Sequence, residues 1–203
     1  MKKGLIALII VAVIGLIAYS SIKGFYNKAI TMNENVSKSW GNVQTSYQRR
    51  NDLIGNLVKT VQGAADFERT TLTAVIEARA KASSVTIDPA NITPEQLAAF
   101  NQAQGGLSSS LSRLLVTVER YPDLKSNQNF LKLQDELTST ENTIQTARVR
   151  YNEAIEPYNN HIKTFPNNLF AGWFGFSGKP YFDSEPGAEK PVDVNFDFNP
   201  KNS

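Results

Sequence analysis

The feature that most constrains this chain is an uncharged, apolar stretch close to its N-terminus. Residues 4–22 contain no charged residue and consist mainly of Leu, Ile, Val and Ala. As a helix, the stretch would be about 28 Å long, which matches the hydrocarbon thickness of a bilayer. We therefore predict a transmembrane helix over residues 4–22, preceded by a short flank at residues 1–3.

A cleavable signal peptide is the alternative interpretation. Lys2 and Lys3 would form its basic end, and residues 18–20 place small side chains at a spacing suited to cleavage. We favour a retained helix, because the apolar residues run past this site to aromatic Phe25 and Tyr26, which suit a membrane interface.

Composition excludes several other classes of protein. The chain has 203 residues and a formal charge of +2, which fits one membrane segment and one bundle domain. Lys and Arg are scattered, so the basic face that nucleic-acid binding requires is not visible. The chain has no cysteine, which excludes disulfides, thiolate metal sites and a lipid-modified N-terminal cysteine.

Beyond the membrane segment, apolar residues recur at steps of three and four, the spacing of helices with one buried face. The sequence predicts an all-α protein in which the transmembrane helix is followed by an antiparallel bundle of three long helices plus a short fourth helical piece. The first predicted helix covers Lys23–Ala82 and has weak points at Gly55 and Gly63, and a loop follows over residues 83–93. The second helix is capped by Thr93, has a hinge at Gly105 and Gly106, and is ended by Pro122. The third helix covers residues 125–165 with a kink at Pro157, and an aromatic piece follows over residues 169–176. The bundle domain spans residues 23–182, and residues 183–203 form a disordered acidic tail.

Helix lengths lead to an expectation about self-association. The second helix would cover only about 40 Å of a first helix twice as long. The part of the first helix nearest the membrane, with its stripe of Val36, Trp40, Val43 and Tyr47, would then lie uncovered. Because such a stripe is rarely left in water, either the first helix bends at Gly55 and covers itself, or other copies of the chain pack along it as a homo-oligomer, which is the alternative we favour.

Several blocks of the sequence resemble those of one bacterial membrane protein family. They are residues 49–63 (RRNDLIGNLVKTVQG), 121–125 (YPDLK), 137–142, 147–152 and 165–170, in this order along the chain. The chain resembles the LemA family over residues 26–182, although Gly55 replaces a usual proline and Pro157 is unexpected. The resemblance implies a helical bundle behind one N-terminal membrane segment, without established catalytic activity. It also implies a short N-terminus outside the cell, whereas the lysines favour a cytoplasmic N-terminus.

Polar residues on or beside the apolar stripes are the candidate site. We predict an interhelical polar network formed by Arg50, Asn56, Glu68, Arg79, Glu141, Asn142, Arg148 and Asn152, with Asn159 as a further candidate. Such groups commonly fix the register of helices. The alternative is a polar ligand pocket between the helices.

Catalytic, cofactor and metal sites find no support in the sequence. Glu136 and Glu141 are five residues apart and do not share a helix face, so they make a poor acid and base pair. A di-metal bundle site would need Glu-x-x-His pairs, and the single histidine, His161, lacks them. We predict no enzyme activity, no cofactor and no metal, and we expect His161 to be a surface or interface residue.

An aromatic cluster near the C-terminus is the candidate docking patch, formed by Phe170, Trp173, Phe174 and Phe176. Large aromatic side chains are usually buried, so one interpretation is that the cluster closes the open end of the bundle. The other is a surface that docks a partner or a membrane. If the first helix is straight, the third helix should end far from the bilayer, which makes insertion into the same membrane awkward.

These observations favour a non-enzymatic, single-pass membrane-anchored scaffold or adaptor that self-associates and organises other envelope proteins. It would lie in the bacterial inner membrane with its bundle on the extracytoplasmic side, because the amino terminus, Lys2 and Lys3 slightly outweigh Lys23 and Lys28. The resemblance implies a membrane metallopeptidase, or a related quality-control pathway, as an associate. The alternative is an extracytoplasmic sensory bundle that binds a small ligand and signals through a partner.

Overall fold

The structure, a computed structural model, describes residues 2–64 and 67–183, with side chains from residue 4 onward. All regular structure in these ranges is helical, which confirms the predicted all-α class. The helices are α1 (Lys2–Gln62), α2 (Arg69–Ser84), α3 (Pro94–Val118), α4 (Pro122–Lys125), α5 (Gln128–Lys163) and α6 (Asn167–Phe174), with a 3-10 turn at Pro89–Asn91. The predicted disordered tail lies, from residue 184 onward, outside the described residues.

Helix α1 joins the apolar N-terminal stretch to the bundle without a break. The large apolar side chains from Leu5 to Tyr19 are all exposed, whereas one face is buried from Phe25 onward. The exposed part is long and apolar enough to cross a bilayer, in agreement with the predicted span. A single helix thus carries two surfaces, one suited to lipid and one buried in protein.

The first bundle helix is shorter than the sequence predicted. It ends at Gln62 instead of Ala82, and α2 is a separate helix. The break falls at Gly63, one of the two weak points, where the amide of Ala64 donates to the carbonyl of Val61 at 3.1 Å in a tighter turn. Glycine is about 1 kcal/mol less favourable than alanine inside a helix, so the chain turns there at low cost.

The four longer helices run alternately away from the membrane segment and back toward it. At the far end, Arg120 after α3 pairs with Glu68 before α2 at 3.0 Å. At the near end, His161 of α5 lies against Phe25 of α1, with ring centroids 5.1 Å apart. The bundle therefore has a membrane end and a distal end, and α5 returns the whole distance between them.

Local signals placed several helix boundaries correctly. The predicted cap of α3 is confirmed, because Thr93 Oγ1 accepts from the amide of Gln96 and the Gln96 side chain accepts from the amide of Thr93. Helix α3 runs through Gly105 and Gly106, and α5 runs through Pro157. The predicted aromatic piece forms α6, which ends at Gly175 in a left-handed conformation that suits glycine.

The expected uncovered stripe on α1 does not exist. Val36, Trp40 and Val43 are fully buried and Tyr47 is nearly so, within one copy of the chain. The stripe is covered because α5, and not only the second helix, packs along α1 as far as Phe25, and because residues 87–97 and Phe182 cover the rest. The stripe therefore gives no reason to expect self-association.

Two hydrophobic clusters fill the bundle, one above the other. The cluster nearer the membrane surrounds Trp40 and Tyr151, and the distal cluster surrounds Leu57 and Leu107. On α1, α3 and α5, buried polar residues form a layer between the two clusters. This polar layer contains the candidate residue Arg50.

Candidate functional site

Arg50 is the centre of the polar layer, and its side chain is almost fully buried. One terminal nitrogen lies 3.2 Å from both Ser108 Oγ on α3 and Glu141 Oε2 on α5, and the other donates to Gln104 Oε1. Gln104 in turn donates to the carbonyl of Ala82 on α2 at 3.4 Å. The layer thus connects all four long helices.

The layer fixes how the helices align. Gln104 and Ser108 are four residues apart on α3, so both face the same guanidinium. A shift of α3 or α5 by one turn would leave the buried charge of Arg50 unpaired, which is costly in the protein interior. Arg50 and Glu141 were predicted from the sequence, whereas Gln104 and Ser108 were missed. Their signal was a polar gap in the apolar stripe of α3.

A cleft of about 350 Å³ opens between α3 and α5 beside this layer. Ser108, Ser112 and Thr138 supply its hydroxyl groups, and Leu111, Leu115 and Leu137 its apolar wall. Arg50 and Glu141 lie at its inner end, and the Glu141 carboxylate is about half exposed. Among the described residues, the buried Nε of Arg50 has no hydrogen-bond acceptor.

After α6 the chain runs back along α5 as an extended segment, which we call the strap (residues 176–183). Two asparagines of α5 hold its backbone. Asn159 donates to the carbonyl of Lys179 and accepts from its amide, both at 2.9 Å, and Asn152 does the same with Phe182. Because these asparagines are seven residues apart, they lie on one face, two turns from each other.

Side chains of the strap complete the cluster nearer the membrane. The Phe182 ring stacks on Trp40 with ring centroids 5.9 Å apart, and the Arg148 guanidinium lies over the Phe182 ring, 4.8 Å from its centroid. Lys179 is buried with its ammonium group on the carbonyl of Ala90. Burial lowers the pKa of Lys179, and the nearby Asp88 carboxylate partly offsets this. The strap is therefore an integral part of the fold.

The other predicted polar residues do not form one network. Arg79 donates to the carbonyl of Asn51 at 2.8 Å and links α2 to α1, and its guanidinium lies against Gly55, where a larger residue would crowd it. Glu68 pairs with Arg120 at the distal end. Asn56 and Asn142 lie on exposed faces of α1 and α5.

The aromatic cluster divides between the core and the surface. Phe170 and Phe176 pack against the cluster nearer the membrane, as expected of a closing plug. Trp173 and Phe174 remain exposed. The expectation that α5 ends far from the bilayer was wrong, because α5 and α6 both end beside residues 25 and 26 of α1.

Two buried tyrosines of α5 differ in whether the hydroxyl is hydrogen-bonded, so replacing them by phenylalanine should change the free energy of unfolding differently. The Tyr151 hydroxyl has no acceptor among the described residues, whereas the Tyr158 hydroxyl donates to the carbonyl of Ser177 at 3.0 Å. Tyr158→Phe should lower the free energy of unfolding by about 1 kcal/mol, and Tyr151→Phe should leave it unchanged or raise it. Urea denaturation of both variants in detergent tests this, and a larger loss for Tyr151→Phe would contradict it.

The same tyrosines predict a loss of stability in alkali. Burial raises the pKa of both Tyr151 and Tyr158 above the ordinary value of 10.0. Above pH 10 the unfolded chain releases these protons while the folded chain retains them, so the free energy of unfolding falls with rising pH. In Tyr151→Phe the fall above pH 10 should be shallower than in the native protein, and an equal slope would contradict this.

The sequence that forms this site also matches a known protein family. The sequence profile described as the LemA family matches residues 39–196, which is most of the chain. The chain belongs to the LemA family. The match includes the Arg50 layer, the cleft and the strap, together with all of the sequence blocks that carried the resemblance.

Relatives of this chain are 26 to 28% identical to it over 64 to 92% of its length. Magnetosome protein MamQ 2 of Paramagnetospirillum magneticum is 28% identical over 92% of this chain and 75% of its own length. Magnetosome protein MamQ of Magnetospirillum gryphiswaldense is 26% identical over 90% of this chain and 74% of its own length. Protein LemA of Metamycoplasma hominis is 26% identical over 64% of this chain and 55% of its own length.

Family membership and the apolar part of α1 together indicate a membrane-associated protein. The names of the LemA-family relatives do not refer to a catalysed reaction. Within residues 2–64 and 67–183, no three His, Asp or Glu side chains are grouped as metal binding would require.

Proposed function

We propose that this LemA-family protein is a non-enzymatic, single-pass membrane-anchored scaffold that organises other envelope proteins. One observation carries the proposal: α1 contains both the apolar stretch and the first helix of the bundle, with no linker between them. The buried face begins at Phe25, three residues after the apolar stretch ends. A bundle attached in this way has a fixed height and direction at the bilayer, which suits a platform for other proteins.

The use of the polar side chains supports a role without catalysis. Arg50 and Glu141 connect helices, while Arg148, Asn152 and Asn159 hold the strap. Groups that are committed to such contacts are poorly placed to exchange protons with a substrate. What remains for function is the outer surface of the bundle and its attachment to the membrane.

Location and partners are part of the same proposal. We place the anchor in the bacterial inner membrane with the bundle on the extracytoplasmic side, supported by the lysine balance. The resemblance to LemA supports a membrane metallopeptidase or a quality-control protein as a partner. Self-association remains part of the proposal, although the buried stripe of α1 no longer supports it.

Photo-crosslinking in native membranes tests the scaffold. A photoreactive amino acid is placed at Ile76, Val116 or Val149, which are exposed positions on three different helices. A scaffold predicts that at least one position crosslinks reproducibly to another envelope protein or to a second copy. The control carries the same probes in a chain without residues 1–22, where these crosslinks should disappear. Crosslinks that persist in the control, or turnover of a substrate by the purified protein, would contradict the proposal.

The cleft favours one second candidate, a sensory bundle that binds a small ligand between α3 and α5. The Nε of Arg50, which has no acceptor among the described residues, and an apolar wall suit a small molecule that carries a hydrogen-bond acceptor and an apolar part. A thermal shift of the full-length protein on addition of such a molecule, abolished in a cleft-filling Ser112→Phe variant, would support the sensor. Thermal shifts that are equal in both proteins would exclude this cleft.

A further inference from the structure

The membrane end of the bundle is built around the first residues that follow the apolar stretch. The Phe25 ring contacts Phe170 and Phe176 at 5.7 and 5.9 Å, and the Tyr26 ring contacts Phe174 at 5.0 Å. At 1.5 Å per residue, Phe25 lies only about 5 Å beyond the end of the apolar stretch along α1. Helix α6 is therefore held at the height where a bilayer that accommodates residues 4–22 would have its headgroups.

The outer side of this end is apolar. Phe165 is 81% exposed, Leu169 54% and Trp173 78%, and Phe174 is also exposed. Together with exposed Tyr26 and Ile30 on α1, they form an apolar surface next to the apolar stretch. Exposed apolar surface of this extent at one place is unusual in water and marks an interaction site.

The charges at this end are all positive. Residues 23–33 and 157–182 contain no Asp or Glu, whereas Lys23, Lys28 and Lys163 are present and exposed or half-buried. Elsewhere in the bundle, each of the four long helices carries both acidic and basic residues. Lysines beside exposed aromatic side chains fit anionic lipid headgroups above an acyl layer.

We propose that α6 and the turn before it (residues 164–174, here the aromatic foot) form a second membrane contact, in the headgroup region of the same leaflet that α1 enters. This inference rests on the membrane anchoring in the proposed function. The occupant is a lipid surface, because the exposed face is continuous with the apolar stretch of α1 and is bordered by lysines. With α1 as one contact and the foot as the other, the bundle cannot tilt or rotate freely on its anchor.

The two tryptophans of the chain provide the test. Trp173 is on the foot, while Trp40 is fully buried in the bundle and serves as an internal reference. The full-length protein is reconstituted into vesicles of phosphatidylcholine and phosphatidylglycerol whose acyl chains carry bromine close to the headgroup. Trp173 is one of the two tryptophans, and the inference places it alone at the depth of the bromine. These lipids should therefore quench on the order of half of the tryptophan emission.

Trp173→Phe is the matched control, because it keeps an aromatic side chain and leaves Trp40 as the only tryptophan. Quenching by the brominated lipids should be nearly absent in this variant. Replacing phosphatidylglycerol by phosphatidylcholine should reduce the quenching of the native protein, as expected if the lysines contribute. Equal quenching in the native protein and in Trp173→Phe would overturn the inference, as would full access of Trp173 to a water-soluble quencher in vesicles.

Flotation of the same vesicles separates this inference from the anchor. Protein that floats with the vesicles but shows no quenching of Trp173 retains its anchor and lacks the second contact. Protein that does not float has neither contact, and both proposals fail. The predicted result is flotation of both variants, with bromine quenching confined to the protein that contains Trp173.

Discussion

Replacing Trp40 by alanine is expected to lower the free energy of unfolding by about 3 to 5 kcal/mol, the largest effect of any substitution that we consider. Its side chain is fully buried and joins three helices and the strap. The ring contacts Phe100 of α3 at 5.5 Å, Tyr151 of α5 at 5.3 Å and Phe182 at 5.9 Å. Alanine would leave a cavity between rings that belong to separate elements, which cannot close together easily.

Urea denaturation of the full chain in detergent, followed by helical circular dichroism, measures this loss. Trp173→Ala is the control, because that residue is exposed on the aromatic foot and should change the free energy of unfolding by less than about 0.5 kcal/mol. Similar losses in the two variants would contradict the packing of Trp40 against α3, α5 and the strap.

The second large effect concerns the asparagines that hold the strap. Asn159→Ala removes two hydrogen bonds of 2.9 Å to the backbone of Lys179. The backbone amide and carbonyl groups of Lys179 then have no partner on α5. Each bond contributes about 1 kcal/mol, and a buried unpaired polar group costs about 1 to 3 kcal/mol. We expect Asn159→Ala to lower the free energy of unfolding by about 2 to 4 kcal/mol. Asn152→Ala should act in the same direction by a smaller amount, because Asn152 is only half-buried.

Amide hydrogen exchange gives the site-specific test. The amides of Lys179 and Phe182 should lose protection in Asn159→Ala and Asn152→Ala, respectively, while the core of α3 keeps its protection. Asn160→Ala is the matched control, because Asn160 is the neighbouring residue on α5 and its side chain is exposed. Unchanged protection at Lys179 in Asn159→Ala would show that the strap is held by other contacts.

Local chemistry explains which parts of the fold were predictable. The cap at Thr93 depends on residues within one turn, so it was found from the sequence alone. The end of α1 at Gly63 was harder to place, because the apolar spacing continues across the break into α2. A glycine marks a weak point, but only packing of α2 against α3 and α1 decides that the chain turns there.

Long-range packing explains the parts that were not predictable. The burial of Trp40 depends on α5 returning along α1 as far as Phe25 and on the strap packing against the Trp40 ring. The spacing of apolar residues in α1 indicates neither of these contacts. The sequence of the strap has no helical or strand periodicity, because its backbone bonds to the side chains of Asn152 and Asn159 and not to another backbone. Two asparagines seven residues apart on an apolar face were the one signal of a backbone-binding groove.

The Arg50 layer was half predictable for a similar reason. Arg50 and Glu141 were both among the charged residues that the sequence offered for pairs inside the bundle, but it did not pair them with each other, because Glu68 was an equal candidate. Gln104 and Ser108 depend on the register of α3, which is set by the loop between α2 and α3 and by its packing. The sequence therefore identified Arg50 and Glu141 as candidates, while the structure supplied their pairing and the neutral partners.

The proposed scaffold requires an uncleaved apolar helix that fixes the bundle to a membrane. Native membranes washed with alkaline carbonate are the most direct test, followed by mass spectrometry of the protein that they retain. The account predicts that the protein stays with the membranes and that its chain includes residues 4–22. A protein found in the soluble fraction, with its chain beginning after residue 20, would contradict it.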